Sequence, residues 1–148
     1  MTDRLYAATR KGLFTVDRSN GGWHISRVDF LGQNVTLLLH DPRDDTLYVA
    51  LDHEHFGVKL HRSTDGGQNW EECAVPLYPK FTEEDDRKQA ESGEMGARRD
   101  FSTLSEIWEL TPGGNDQPGV LWAGTIPGGL FRSADCGTLW ELVRSLWD

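Results

Sequence analysis

"HRSTDGGQNW", residues 61–70, and "FRSADCGTLW", residues 131–140, share the spelling Arg-Ser-x-Asp-x-Gly-x-x-Trp. From the composition of the chain, the core pattern Ser-x-Asp-x-Gly-x-x-Trp is expected by chance about 0.003 times. Two occurrences are therefore a repeat, and a repeat governs how everything around it is read.

The similarity extends outward from the two boxes. "TLYVALDHEHFGVKLHRS" leads into the first and "VLWAGTIPGGLFRS" into the second. "RLYAATRKGLFTV", near the N-terminus, has the same shape and is closed by Trp23. Eleven residues before Trp23, Trp70 and Trp140 stand Gly12, Lys59 and Gly129, followed by Leu13-Phe14, Leu60-His61 and Leu130-Phe131. There are thus three copies, and the first has lost its box. The tryptophans are 47 and then 70 residues apart, which implies an insertion of about twenty residues in the second interval.

Each copy reads as short strands. "TLYVAL" and "VLWAGT" are rich in β-branched and aromatic residues and are cut off by Gly or Pro. "KLHRS" and "GLFRS" form the next strand, and "WEECAV" and "WELVRS" the one after the box. "VTLLLHDP" and "TLSEIWELTP" supply an inner strand, and the run "VTLLL" suits a strand covered on both faces. Four antiparallel strands per unit of about 45 residues predict an all-β fold, a β-propeller built of four-stranded blades. The chain is expected to form a single partial propeller domain over 1–148, with blade arcs at about 4–30, 34–76 and 102–145 and an insertion loop at 77–101.

The first copy opens directly on its second strand. The count is about eleven strands, an incomplete arc of about three blades, where propellers typically have four to eight. The expectation is a fragment of a longer propeller, partnered by the remaining blades, or a chain that self-associates through exposed blade edges.

The box has a structural mechanism. Asp65 and Asp135 can accept hydrogen bonds from backbone N–H groups just downstream, and Ser63 and Ser133 can brace the same loop. Gly67 and Gly137 permit a positive φ where a side chain would clash. Trp70 and Trp140 then fill the space between hairpin and sheet. On these residues the repeat resembles the Asp-box, or bacterial neuraminidase repeat, of sialidases, sortilin-like ectodomains, photosystem assembly factors and glycosyl-hydrolase-like bacterial propellers. The resemblance implies a propeller with Asp-boxes on one rim and a ligand-binding loop face on the other. It leaves open whether the chain is a sialidase-type exo-glycosidase, a binder of a carbohydrate, peptide or small acidic ligand, or a non-catalytic interaction scaffold.

The loops on the expected ligand face are 9–11, 52–58, 76–101 and 125–128. "DHEHFG" is the densest in chemistry: His53 and Glu54 are candidate proton-transfer groups, and Asp52 and His55 candidate ligand contacts. A solvated polar loop accounts for the same residues. His-x-His with flanking acids is not a closed ligand set, so neither a metal nor another cofactor is expected. Arg98 and Arg99, after Gly96 in the insertion, can grip a carboxylate as forks, and Arg10 stands early on the same face. The insertion "KFTEEDDRKQAESGEMGARRD" is either a solvated excursion, with a short helix around 83–91, or a lid. Glu106 opens an inner strand and is a candidate acid or base, or else an ion-pair partner of a neighbouring blade. Trp108 and Trp122 read as inter-blade packing, and His40 and His61 as core or edge residues. The Arg-bearing stretch that precedes the first box in sialidases has no counterpart here. No nucleophile spacing, P-loop or dinucleotide fingerprint suggests another enzyme class.

Composition narrows the partners. A net charge of −9 and a pI near 4.9 repel a phosphate backbone, so nucleic acid is not expected. No stretch has the apolar length of a signal peptide or a membrane span, which predicts a cytoplasmic product with no membrane partner. Cys73 and Cys136 are two isolated thiols without metal-ligand spacing.

Overall fold

Alternating apolar and polar residues set the strands, and Gly, Asp and Pro end them. The computed structural model describes residues 3–80, 91 and 103–146. Its first sheet is β1 (Arg4–Thr9), β2 (Gly12–Ser19) and β3 (Gly22–Asp29). The second is β4 (Asn34–His40), β5 (Leu47–His53), β6 (Gly57–Ser63) and β7 (Glu71–Cys73). The third is β8 (Glu106–Pro112), β9 (Leu121–Ile126), β10 (Gly129–Ser133) and β11 (Glu141–Leu142), followed by a 3-10 turn at Arg144–Leu146. All strands are antiparallel, and each sheet is a meander in chain order. The fold is all-β, an incomplete arc of propeller blades. The helical stretch expected near 83–91 lies outside the described residues, apart from the exposed Glu91.

Register decides which residues meet between sheets. Leu60 pairs with Ala50 and with Cys73, so these point to one side of the second sheet, toward the third. There Tyr48, Ala50 and Leu60 pack with Ile107, Leu110, Leu121, Ala123 and Phe131. On the other side Val35, Val49 and Leu51 meet Leu13 of the first sheet, flanked by Tyr6, Phe30 and Trp70. Each fully buried Leu, Ile or Phe in these clusters contributes roughly 1.5–3 kcal/mol. The inner strand β4 serves both clusters: Leu37 and Leu39 pack on one and Leu38 on the other. That is why "VTLLL" does not alternate.

A second device joins the outer corners of the second and third sheets. Asp41, 1% exposed, ends β4 and accepts three bonds from the Arg43 guanidinium, the shortest at 2.6 Å. Arg43 also donates to the carbonyls of Gln117 at 2.8 Å and Val120 at 3.0 Å, in the β8–β9 loop. The buried carboxylate thus holds the arginine, and the arginine holds the neighbouring sheet. The Arg43 hydrogen bonds keep the Asp41 carboxyl below its ordinary pKa despite burial.

Among the described residues, no further sheet packs on either end of the arc. The outward side of the first sheet carries Leu5, Ala7, Trp23, Ile25 and Val28, all exposed. On the outward side of the third sheet, Trp108 sits at a β-bulge in β8 and lies over Gly124. A Cβ at Gly124 would stand 2.9 Å from the indole nitrogen, so a larger residue there would displace the Trp108 ring. Among the described residues, no helix is long and apolar enough to cross a membrane.

Candidate functional site

The meander gives the arc two rims. One holds the β2–β3, β4–β5, β6–β7, β8–β9 and β10–β11 connections, and with them both boxes. In the first box the Ser63 hydroxyl donates to Asp65 Oδ1 at 2.8 Å and accepts the Gly67 N–H at 2.8 Å. Asp65 Oδ1 then accepts the Asn69 N–H at 2.9 Å. The second box repeats this bond for bond: Ser133 to Asp135 at 2.8 Å, Gly137 N–H to Ser133 at 2.9 Å, and Leu139 N–H to Asp135 at 2.9 Å. Gly67 and Gly137 stand at φ of +86° and +84°, the region that glycine enters without steric cost. The backbone and side-chain bonds from Asn69 hold the Asp65 carboxyl down at about 2. The downstream amides lower Asp135 likewise.

The boxes also fasten sheet to sheet. Trp140 donates its indole N–H to the Ala74 carbonyl at 2.9 Å, and Trp70 packs edge-on against Phe30 with ring centroids 5.0 Å apart. Arg27 of the first sheet donates to the Gly66 carbonyl at 2.6 Å, and Arg62 of the second to the Cys136 carbonyl at 3.0 Å. A cavity of about 170 Å³ beside the first box is lined by Arg62, Ser63, Asp65, Asn69, Trp70 and Glu71. Its polar groups are largely committed to the box and to the Arg62–Glu71 pair, so it forms part of the turn's framework.

The opposite rim holds the β1–β2, β3–β4, β5–β6 and β9–β10 turns, and β7 leads out from it. Thr9 shapes the first: its hydroxyl accepts the Lys11 N–H at 3.0 Å and donates to the Gly12 carbonyl at 2.8 Å, leaving Arg10 exposed at the tip. In the third, the Phe56 N–H donates to the His53 carbonyl at 2.8 Å, closing a tight turn over 53–56. Asp52 and His53 are half-buried at the strand end, while Glu54, His55 and Phe56 are exposed. Extension stops at His53, so the His-x-His pair does not continue the strand's alternation. The Phe56 ring stands edge-on to His53, with centroids 6.3 Å apart. Near the β9–β10 turn, Tyr78 exchanges a hydrogen bond with Thr125 at 2.7 Å, and the Thr125 hydroxyl donates to the Pro127 carbonyl at 3.0 Å.

Asp52, His53, Glu54 and His55 therefore share one turn, and Arg10 lies on the same rim. Glu106 is half-buried at the start of β8, paired in register with Ile126 beside the β9–β10 turn. Arg98 and Arg99 lie outside the described residues. Among the described residues no cluster of three or more His, Cys, Asp or Glu could hold a metal. Sequence reasoning passed over Phe56, whose signal was an apolar residue just before a turn glycine, and the inter-sheet arginines 27, 43 and 62. The latter leave no local trace, because each acts on a carbonyl some forty to eighty residues away.

No family model matches the chain, and no curated protein does. Among solved structures it is similar to one described as "YCF48 bound to D1 peptide", with 12% identity and a TM-score of 0.56 over 95% of this chain. The chain spans 36% of that neighbour's length. The likeness is one of fold, and it agrees with the sheet order and register: three consecutive antiparallel meanders, packed face to face, are an arc of a β-propeller.

Proposed function

We propose that this chain is part of an Asp-box β-propeller that binds an extended peptide on its loop rim and performs no chemistry on it. The observation that carries this reading is Phe56, 79% exposed and set edge-on to His53 in a hydrogen-bonded turn. A large aromatic held out to solvent on a firm turn costs little entropy to bind with, and such side chains dominate recognition energy. Arg10, Glu54 and His55 on the same rim supply polar contacts around it. The bond-for-bond repetition of the two boxes supports the Asp-box assignment. The neighbour whose description records a bound peptide supports peptide as the ligand class.

A sialidase-type hydrolase would use an arginine cluster for the substrate carboxylate, an acid/base and a Tyr–Glu nucleophile pair. Arg10, Glu54 and Glu106 are the groups on or beside the loop rim nearest to that set. The peptide reading asks less of these residues.

The test begins with selection of binders from a displayed library of random peptides. Enriched peptides should lose at least tenfold in affinity on Phe56→Ala and be indifferent to Asn69→Ala on the box rim. Enrichment of glycans on an array in place of peptides would overturn the ligand class. Turnover of a fluorogenic sialoside, lost in Glu54→Gln or Glu106→Gln, would establish the hydrolase.

A further inference from the structure

We infer that the open face of the third sheet docks the open face of the first sheet of a second copy of this chain. The argument rests on which residues each face repeats. In strand register, the outward side of the first sheet presents Leu5, Ala7 and Phe14, with Ala7 opposite Phe14. The third sheet presents Leu121, Ala123 and Phe131 at the equivalent positions, the same three residue types, toward the second sheet. There Leu121, Ala123 and Phe131 are each 0% exposed, whereas Leu5 is 55% and Trp23 50% exposed. The first sheet therefore carries a packing surface that no other described residue covers.

The opposing half is repeated as well. The second sheet receives the third with Tyr48, Ala50, Leu60 and Arg62. In register, the outward side of the third sheet offers Trp122, Gly124, Leu130 and Arg132. The open pair of faces thus resembles the pair already packed inside the chain, with Trp108 over Gly124 where the smaller Thr36 stands beside Ala50. Uncovered apolar faces of this kind favour association. Because the two faces differ, the contact is head-to-tail and propagates into a ring or an open chain.

The experiment is light scattering on the full 148-residue chain over a wide concentration range, with two variants. Leu5→Arg spoils the first face and Leu130→Arg the other; a thermal melt of each confirms that it folds. The wild type should exceed the single-chain mass of 16.7 kDa, and each variant alone should fall to it. An equimolar mixture of the two should form a species of twice that mass, joined through the one pair of intact faces. A wild type that stays monomeric throughout overturns the proposal and assigns the faces to other propeller blades. Variants that dimerise alone, or a mixture that does not, overturn it too.

Discussion

The Arg62 guanidinium, on β6 of the second sheet, donates at 3.0 Å to the carbonyl oxygen of Cys136 in the turn of the third. Arg27 stands in the same relation to Gly66, one sheet earlier. The box turn therefore does more than reverse the chain: it offers a carbonyl that the preceding sheet grips. Arg62→Ala should cost about 1.5–3 kcal/mol, the usual worth of a hydrogen bond to a charged group. The check is a urea titration in which the midpoint falls and the slope is unchanged.

Asp41 and Arg43 predict a larger effect. Arg43→Ala leaves a carboxylate with 2% side-chain exposure without its cation, a change that costs about 3–5 kcal/mol. Replacing Asp41 by Asn should cost less, because an amide retains an acceptor and carries no buried charge. If both variants unfold at the wild-type urea concentration, the clasp contributes nothing.

The two box glycines are predicted to differ despite their nearly equal φ. A Cβ at Gly67 would collide with the Arg27 guanidinium, while at Gly137 the nearest atoms are 3.7 Å away. Gly137→Ala should therefore show only the backbone strain of a left-handed conformation, about 1–2 kcal/mol. Gly67→Ala should lose more, because the Arg27–Gly66 bond is displaced as well. Melting temperatures of the two variants measure the difference directly.

The box aspartates set an acid limb. Asp65 is held at about 2 against an ordinary value of 3.8, chiefly by the bonds from Asn69. A carboxyl whose folded pKa is depressed contributes its full stabilisation above the unfolded value and loses it as pH falls through the folded one. The melting temperature of the wild type should thus decline between about pH 4 and about pH 2. Asp65→Asn should melt lower at neutral pH and decline less over that interval. A parallel decline would show that other carboxyls govern it.

The repeated spelling made the architecture legible because Ser, Asp, Gly and Trp each have a short-range task, and local tasks leave local patterns. Strand positions followed from the β-branched and aromatic runs "TLYVAL" and "VLWAGT", and from Pro42 and Pro112 at the strand ends. The arginine grips were illegible for the opposite reason: Arg43 reaches Val120 across 77 residues, and nothing near Arg43 names its acceptor. On the loop rim the sequence put Asp52, His53, Glu54 and His55 in one turn. It did not indicate that Phe56 would stand exposed beside the ionisable groups. Exposure there is decided by the turn closing on the His53 carbonyl, which is a matter of backbone geometry.

The measurement that bears most directly on the loop rim as the binding face is hydrogen exchange, read by mass spectrometry, with and without a selected peptide at saturation. The account predicts slowed exchange in the turns at 9–12, 53–57 and 126–129, and unchanged exchange in the boxes at 63–70 and 133–140. Protection confined to the boxes, with the loop turns exchanging as in the free chain, would contradict it.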